Sequence, residues 1–222
     1  MKKLNKTLSV ILLASGTSLA YAEVSVNATL TSDYVFRGIS QSDSGFAVQG
    51  GADYAHESGV FVGTWASTVD YSQYGDDTNM ELDFYFGYNG ETENFSFDVM
   101  YNMYNYLGED YSEDGNYSEL MANAYLGAMT ASFGYANDYF GTGESVTFIG
   151  GAYDIDLPDE FKLTLNLGYS MGEDALGDNI LDYGATVAKS FNGFDVSAAF
   201  VGTDLDGSDS DPRFFVSVSR TF

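Results

Sequence analysis

The strongest constraint on this chain is an alternation of apolar and polar residues that recurs in adjacent pairs of segments. Segments 120–126 and 129–135 are the clearest pair, because apolar residues occupy every second position in each. If residues 127–128 form a two-residue turn, Leu126 lies opposite Met129, and the apolar residues of both segments share one face of a hairpin. A helix would distribute them around its circumference. The pattern therefore predicts antiparallel strands.

Four further pairs of alternating segments predict hairpins in the same way: residues 46–54 with 61–69, 80–88 with 95–103, 146–152 with 163–169, and 181–187 with 194–200. Folding their turns places Phe86 opposite Phe97. It also places Gly50 opposite Trp65, where the indole covers a position without a side chain. In this prediction Trp65 and Phe148 belong to the apolar faces of their strands.

The connections between these strands alternate between two kinds. One kind is short and comprises residues 56–59, 89–94, 127–128, 156–160 and 190–193. The other kind is long and acidic and comprises residues 70–79, 107–116, 137–144, 171–180 and 203–212. Adding strands near residues 24–36 and 214–222 gives about twelve strands of roughly ten residues. A soluble β-sandwich would not sort its turns by length, so the sequence predicts an all-β, transmembrane, antiparallel up-and-down β-barrel.

The first 22 residues have the features of a secretory signal peptide. Lys2, Lys3 and Lys6 precede a short apolar stretch at residues 8–14, and residues 20–22 form an A-x-A cleavage site. The apolar stretch is too short to span about 30 Å of hydrocarbon as a retained anchor. We therefore expect cleavage between Ala22 and Glu23, a signal peptide at 1–22 and an outer-membrane barrel at 23–222.

The C-terminal residue is aromatic and continues the alternating apolar positions of the last strand. Phe222 follows Val218, Val216 and Phe214 on the same face of the last strand, although Arg220 interrupts the set. This terminus is similar to the signal that the barrel assembly machinery of the outer membrane reads. We therefore expect Phe222 to act as the assembly signal in a Gram-negative cell.

The composition excludes several classes of protein. The chain has 33 Asp and Glu, 8 Lys and Arg, a net charge of −25 and no Cys. Nucleic-acid binding needs clustered cations, so it is not expected. Disulfides and thiolate-bound metals are excluded as well. With 18 Tyr and 17 Phe, the chain is too aromatic for an acidic disordered segment.

Three stretches make the chain similar to a known family. They are the segment Thr31-Ser32-Asp33-Tyr34-Val35-Phe36-Arg37-Gly38-Ile39-Ser40-Gln41, the segment Gly63-Thr64-Trp65-Ala66-Ser67, and the terminal Ser217-Val218-Ser219-Arg220-Thr221-Phe222. On these residues the chain resembles the TorF-type porin family of proteobacteria along essentially its whole mature length. The resemblance implies an outer-membrane barrel that conducts small solutes.

Residues that could carry enzyme or metal chemistry are few. His56 is the one histidine and lies in a short turn beside Glu57 and Ser58, where a solvated side chain is expected. The loop 204–211 offers oxygen ligands for Ca²⁺ but lacks EF-hand spacing, and an acidic cluster lies at residues 109–114. We expect hydrated acidic loops beside lipopolysaccharide, no cofactor, no specific metal site and no catalysis.

The charged residues of the strands have the parity opposite to the apolar residues, which predicts that they line the lumen. The candidate pore-lining residues are Asp33, Arg37, Asp53, Glu81, Asp83, Asp98, Glu119, Asp182 and Asp195, with Arg37 at the mouth and paired to Asp33. Charges facing a water-filled lumen cost little. A cation-preferring channel for passive diffusion of small solutes is predicted. A non-conducting barrel that is plugged by bulky inward residues, with adhesive or divalent-binding loops, is the alternative.

Aromatic residues near the strand ends predict two girdles at the membrane interfaces. The predicted girdle at the long-loop end comprises Tyr34, Phe46, Tyr71, Tyr104 and Tyr169. An aromatic track inside the lumen is the functional alternative for these rings.

Overall fold

The computed structural model describes residues 23–108, 115–206 and 211–222. Within them, twelve long strands form a closed antiparallel barrel in which neighbours in sequence are neighbours in space, and β14 closes on β1. The long strands are β1 (Glu23–Thr31), β4 (Ala47–Ala55), β5 (Val60–Thr68), β6 (Met80–Glu91), β7 (Ser96–Leu107), β8 (Tyr117–Leu126), β9 (Met129–Ala136), β10 (Val146–Asp156), β11 (Lys162–Met171), β12 (Ile180–Phe191), β13 (Phe194–Thr203) and β14 (Arg213–Thr221). The predicted fold class is confirmed.

The alternation of the sequence becomes the two faces of this barrel, because successive side chains of a strand point to opposite sides. Large apolar side chains are exposed on the outside, among them Phe46, Val48 and Phe214, while Asp83, Asp98 and many other polar side chains are buried inside. An apolar exterior around a polar interior is the pattern of a barrel whose solvent on the outside is lipid.

The predicted sorting of connections by length is also found. The short connections are residues 56–59, 92–95, 127–128, 157–161 and 192–193, and the long ones are 32–46, 69–79, 108–116, 137–145, 172–179 and 204–212. The hairpin around residues 127–128 has the predicted register, with Leu126 opposite Met129 and Leu120 opposite Tyr135. One long connection contains a single helical turn, α1 (Glu173–Leu176).

The predicted register of the β6–β7 hairpin is wrong. Phe86 lies opposite Tyr101 rather than Phe97, because β6 continues into the expected turn as far as Glu91, which pairs with Ser96 at the start of β7. A slip by an even number of residues keeps every side chain on its face. The inward positions of Glu81 and Asp98 therefore survive the error.

On β5 and β10 the predicted faces are inverted. Trp65 lies opposite Gly51 rather than Gly50 and is buried inside the barrel, and Phe148 lines an interior cavity while Ile149 is exposed outside. Both strands carry apolar residues on both parities, so alternation alone does not decide between their faces. Contacts of Trp65 and Phe148 with other residues inside the lumen determine which face of each strand points inwards.

The first strand ends at Thr31 rather than near Phe36, and residues 32–46 turn into the barrel. Within them, β2 (Val35–Phe36) and β3 (Ile39–Ser40) form a separate two-stranded ladder. We refer to residues 32–46 as the inward hairpin. The predicted outer girdle is correspondingly wrong in part, since Tyr34 and Tyr104 are buried inside while Phe46 faces outwards.

Candidate functional site in the barrel lumen

The inward hairpin is bent so that its tip reaches the middle of the lumen. Arg37 and Gly38 form the two-residue turn, with φ of 47° and 82°. A tight hairpin turn of this kind needs positive φ at both positions, which glycine adopts freely and arginine adopts at a cost. A strained arginine persists where its contacts fix it, and here those contacts are on the opposite wall of the barrel.

Arg37 is held by one carboxylate and two aromatic rings. Its Nη2 lies 2.5 Å from Oε1 of Glu119 on β8. Its guanidinium stacks over the rings of Phe36 and Phe148, at 4.7 and 4.2 Å from their centroids. Arg37 thus bridges the hairpin to β8 and β10.

The expected pairing of Arg37 with Asp33 is therefore wrong. Asp33 lies at the base of the inward hairpin, accepts hydrogen bonds from the hydroxyls of Ser40 and Ser42, and lies 3.9 Å from Nη1 of Arg213. Burial raises the pKa of Asp33, while the hydroxyl groups and Arg213 oppose that shift. Asp33 therefore binds side chains of its own segment, whereas Arg37 binds Glu119 on the opposite wall of the barrel.

Aromatic contacts fix the sides of the hairpin. Tyr34 packs edge-on against Trp65 of β5 at 5.5 Å, and Phe36 packs against Tyr104 of β7 at 6.3 Å. Val35 packs against a buried cluster of Ala199, Val201 and Phe215 on β13 and β14. The hairpin therefore touches walls on several sides of the lumen.

The inner faces of β4–β8 form a filled region, which we call the packed half. Here Tyr104 and Tyr117 stack at 4.5 Å, and Tyr106 stacks on Phe140 of a long connection at 4.9 Å. These rings are buried against one another rather than presented along a path. They do not form the aromatic track that was the alternative to a girdle.

Most of the predicted inward acids lie in the packed half and are hydrogen bonded there. Asp53 accepts from Tyr85 at 2.6 Å, Asp83 from Asn102 at 2.9 Å, and Asp98 from Tyr125 at 2.7 Å and Asn123 at 2.9 Å. Glu81 accepts from Tyr106 at 3.5 Å, and Glu119 accepts from Tyr104 at 3.1 Å as well as from Arg37. Glu81, Asp83, Asp98 and Glu119 are at most 2% exposed.

The inner face of β9–β12 is the opposite of the packed half, because four inward positions on it are glycines: Gly134, Gly150, Gly168 and Gly184, here called the glycine wall. Neighbouring side chains lean over these positions. A Cβ at Gly134 would overlap Glu119 and Arg37, and one at Gly168 would overlap Asp182 and Phe148. The absence of side chains at these glycines leaves room for the side chains of neighbouring residues such as Glu119, Arg37 and Asp182.

A cavity of about 140 Å³ lies between the inward hairpin and the inner face of β9–β12, where Gly150 of the glycine wall lines it. That volume holds on the order of ten waters. Among the predicted pore-lining residues, Asp33, Arg37 and Asp182 line it, together with Gln49, Asn123, Asn166 and the apolar side chains of Phe36, Met121, Phe148 and Phe215. The open part of the lumen is thus a cavity on one side of the barrel, which the pairing of adjacent strands does not predict.

Asp182 is the carboxylate of this cavity with the fewest partners. Its side chain is 6% exposed and, within the described residues, its Oδ2 has no hydrogen-bond partner. The remaining candidate, Asp195, is half-buried on the inner face of β13 and accepts a hydrogen bond from Ser190. The inward cation Lys162 lies 3.3 Å from Asp154.

The other predicted features are peripheral to the lumen. His56 is exposed in its turn, and its Nδ1 lies 2.8 Å from the hydroxyl of Ser58. The acidic cluster at 109–114, residues 207–210 of the candidate calcium loop, and Ala22 lie outside the described residues. In the parts of the chain that the structure describes, no group of three acidic or histidine side chains could hold a metal. The same parts contain no helix long and apolar enough to cross a bilayer.

The fold is that of outer-membrane porins. The chain superposes on the KdgM porin with a TM-score of 0.58 and 11% identity, covering 89% of this chain and 99% of that one. It superposes on an outer membrane channel from Pseudomonas putida F1 with a TM-score of 0.50 and 12% identity, covering 96% and 100%. These solved structures are a porin and a channel rather than enzymes.

Residues 15–222 match the family described as "Bacterial protein of unknown function (Gcw_chp)", and the chain belongs to this family. Among curated proteins, none matches the sequence. The narrower resemblance to TorF-type porins stays a prediction.

Proposed function

We propose that this chain is an outer-membrane porin through which small solutes diffuse passively, with a preference for cations. The observation that carries the proposal is the cavity along the glycine wall. One half of the lumen is filled by buried acids and stacked rings, whereas the other half contains the cavity, which Asp182 borders.

The proposed cation preference follows from the charges that line the cavity. Arg37 is paired with Glu119, so its charge is compensated locally. Asp33 lies 3.9 Å from Arg213, so Asp182 remains, and the long connections add further acids at the same end of the barrel. Fixed carboxylates gather cations within a Debye length of about 8 Å, a distance similar to the scale of a narrow lumen.

The proposed location is the outer membrane of a Gram-negative cell, embedded in lipid and lipopolysaccharide. The apolar exterior of the barrel, the signal peptide predicted at 1–22 and the terminal Phe222 support it. Phe222 is exposed at the end of β14, where the barrel assembly machinery could reach it. The resemblance to TorF-type porins agrees with the same proposal.

The substrate of a structural neighbour does not transfer easily. A KdgM porin is known in complex with disordered oligogalacturonate, and that structure superposes with a TM-score of 0.57 and 8% identity. Galacturonate carries a carboxylate on each sugar. A lumen with many more inward acids than cations disfavours such a polyanion, so we propose small, neutral or cationic solutes here.

A non-conducting barrel is the second candidate. The packed half and the inward hairpin favour it, because they fill much of the lumen. Its acidic connections would then bind divalent cations or bridge lipopolysaccharide.

Reversal potentials of the refolded protein in planar bilayers under a KCl gradient test these candidates. The expected result is a small conductance with a cation-selective potential, and Asp182→Asn should weaken the selectivity more at low salt than at high salt. The double change Glu81→Asn and Asp83→Asn should weaken it less, since those side chains do not line the cavity. A chloride-selective or unselective pore contradicts the proposed preference. No conductance at all favours the non-conducting barrel.

A further inference from the structure

We propose that the cavity beside the glycine wall is a binding site for a small organic ammonium ion, which Asp182 recognises. The inference extends the proposed cation-preferring channel by naming a class of solute.

Three of the four charged groups at or beside the cavity have partners of their own. Arg37 and Glu119 pair at 2.5 Å. Asp33 receives two hydroxyl hydrogen bonds and lies near Arg213. Asp182 remains, with one oxygen lacking any hydrogen-bond partner among the described residues. A buried carboxylate oxygen without a partner is costly, and Asp182 borders the cavity, so the site favours a mobile cation.

The surroundings of Asp182 favour an ammonium group in particular. Asp182 on β12 lies opposite Gly168, and Asn166 on β11 lies opposite Gly184, so the two polar side chains are diagonal neighbours on one face. Asn166 Oδ1 leans over the position where a side chain at Gly184 would be. A primary ammonium has three donors that could be shared between a carboxylate and an amide oxygen.

A bare metal ion fits this site less well. Hard divalent cations take six or more oxygen ligands, often from several carboxylates. No cluster of three acidic side chains is found among the described residues, and the cavity wall also includes Phe36, Met121 and Phe148. An ion with one positive charge and a short apolar body can bind the carboxylate of Asp182 and also pack against these apolar side chains.

The size of the cavity limits the solute. About 140 Å³ is room for on the order of ten waters, and therefore for a body of a few carbon atoms. Propylammonium is a suitable probe because its uncharged analogue, 1-propanol, has nearly the same shape. β-Alanine carries the same ammonium group and an added carboxylate, which Asp33 and Asp182 should repel, so it should bind more weakly.

Isothermal titration calorimetry of the folded barrel in detergent micelles at low salt measures binding without requiring conduction. Propylammonium should bind at a single saturable site, and 1-propanol should not. Asp182→Asn should weaken propylammonium binding at least about tenfold, because the charge-assisted contact is lost. Glu57→Gln removes an equal charge from an exposed turn and should leave the affinity unchanged.

A second variant keeps the test decisive if Asp182→Asn folds poorly. Gly168→Ala would place a methyl group where Asp182 Oδ2 and Phe148 now lie, so it should displace the carboxylate and weaken binding while keeping its charge. Unchanged affinity in both variants, equal binding of 1-propanol, or tighter binding of β-alanine would overturn the proposal. A barrel that binds propylammonium yet passes no current would refute the channel and retain this site.

Discussion

The Arg37–Glu119 pair is expected to hold the inward hairpin in the lumen, and Glu119→Gln tests this with little change of shape. The side chains of Arg37 and Glu119 are 11% and 1% exposed, so the substitution leaves an uncompensated charge that is almost buried. Removing one partner of a buried pair costs about 3–5 kcal/mol. We take about 3 kcal/mol, because Phe36 and Phe148 still cover the guanidinium.

The loss of this pair should destabilise the inward position of the hairpin rather than the barrel strands. The strands are held by their own ladders, whereas the hairpin has a ladder of only two residue pairs and depends on side-chain contacts. At about 1.4 kcal/mol for each factor of ten, the population with a displaced hairpin should rise roughly a hundredfold. In bilayers the variant should show frequent transitions to a larger conductance that the parent rarely visits.

Trypsin provides a second measurement, since it cleaves after Arg37 only when the tip leaves the barrel. Digestion of the folded protein should cut Glu119→Gln much faster between Arg37 and Gly38 than the parent chain. Glu57→Gln, which removes an exposed turn acid, is the matched control. Equal cleavage rates and identical conductance in Glu119→Gln and the parent would refute the view that this pair retains the hairpin.

Three further outcomes are expected. Phe148→Ala should raise single-channel conductance because Phe148 lines the cavity, whereas Phe200→Ala on the exposed outer face should not; equal conductance in both would place the path elsewhere. Deleting Phe222 should lower the yield of heat-modifiable, folded barrel in the outer membrane severalfold, and an unchanged yield would show that the terminus is not read. Calorimetry should find only weak, salt-sensitive Ca²⁺ binding near about 10⁻³ M. A micromolar site that Asp206→Asn abolishes would contradict the expectation of hydrated acidic loops.

The architecture could be predicted because it depends on information that is local in the sequence. Alternation assigns each residue of a strand to one of two faces, and a two-residue turn fixes the register, as it does for Leu126 and Met129. Where the turn is longer, as between Phe86 and Phe97, the ladder can extend by several residues without moving a side chain to the other face. Faces are therefore easier to predict than registers.

The interior of the lumen could not be predicted from the same information. Trp65 and Phe148 look like lipid-facing residues when only their strands are considered, yet Tyr34 and Arg37 of the inward hairpin contact them from inside. Nothing local in the sequence shows that residues 32–46 turn inwards. The inner glycines were visible in the sequence, but their alignment on four neighbouring strands becomes apparent only once the barrel is closed.

The position of the inward hairpin has a consequence for how the barrel finds its closing register. The β1–β14 ladder runs along Asn27–Thr31, and Val26 exchanges backbone hydrogen bonds with Phe222 beyond it. A slip of two residues there would preserve every face. Ser32 exchanges hydrogen bonds with the backbone of Val216, Ser44 accepts one from Arg213, and Val35 packs against Phe215. An inward hairpin that folds before closure would present these contacts to β14 as it pairs with β1. A β14 paired in the wrong register would lose the contacts of Arg213 with Ser44 and of Phe215 with Val35. Contacts between the inward hairpin and β14 would thus select the correct β1–β14 register as the barrel closes.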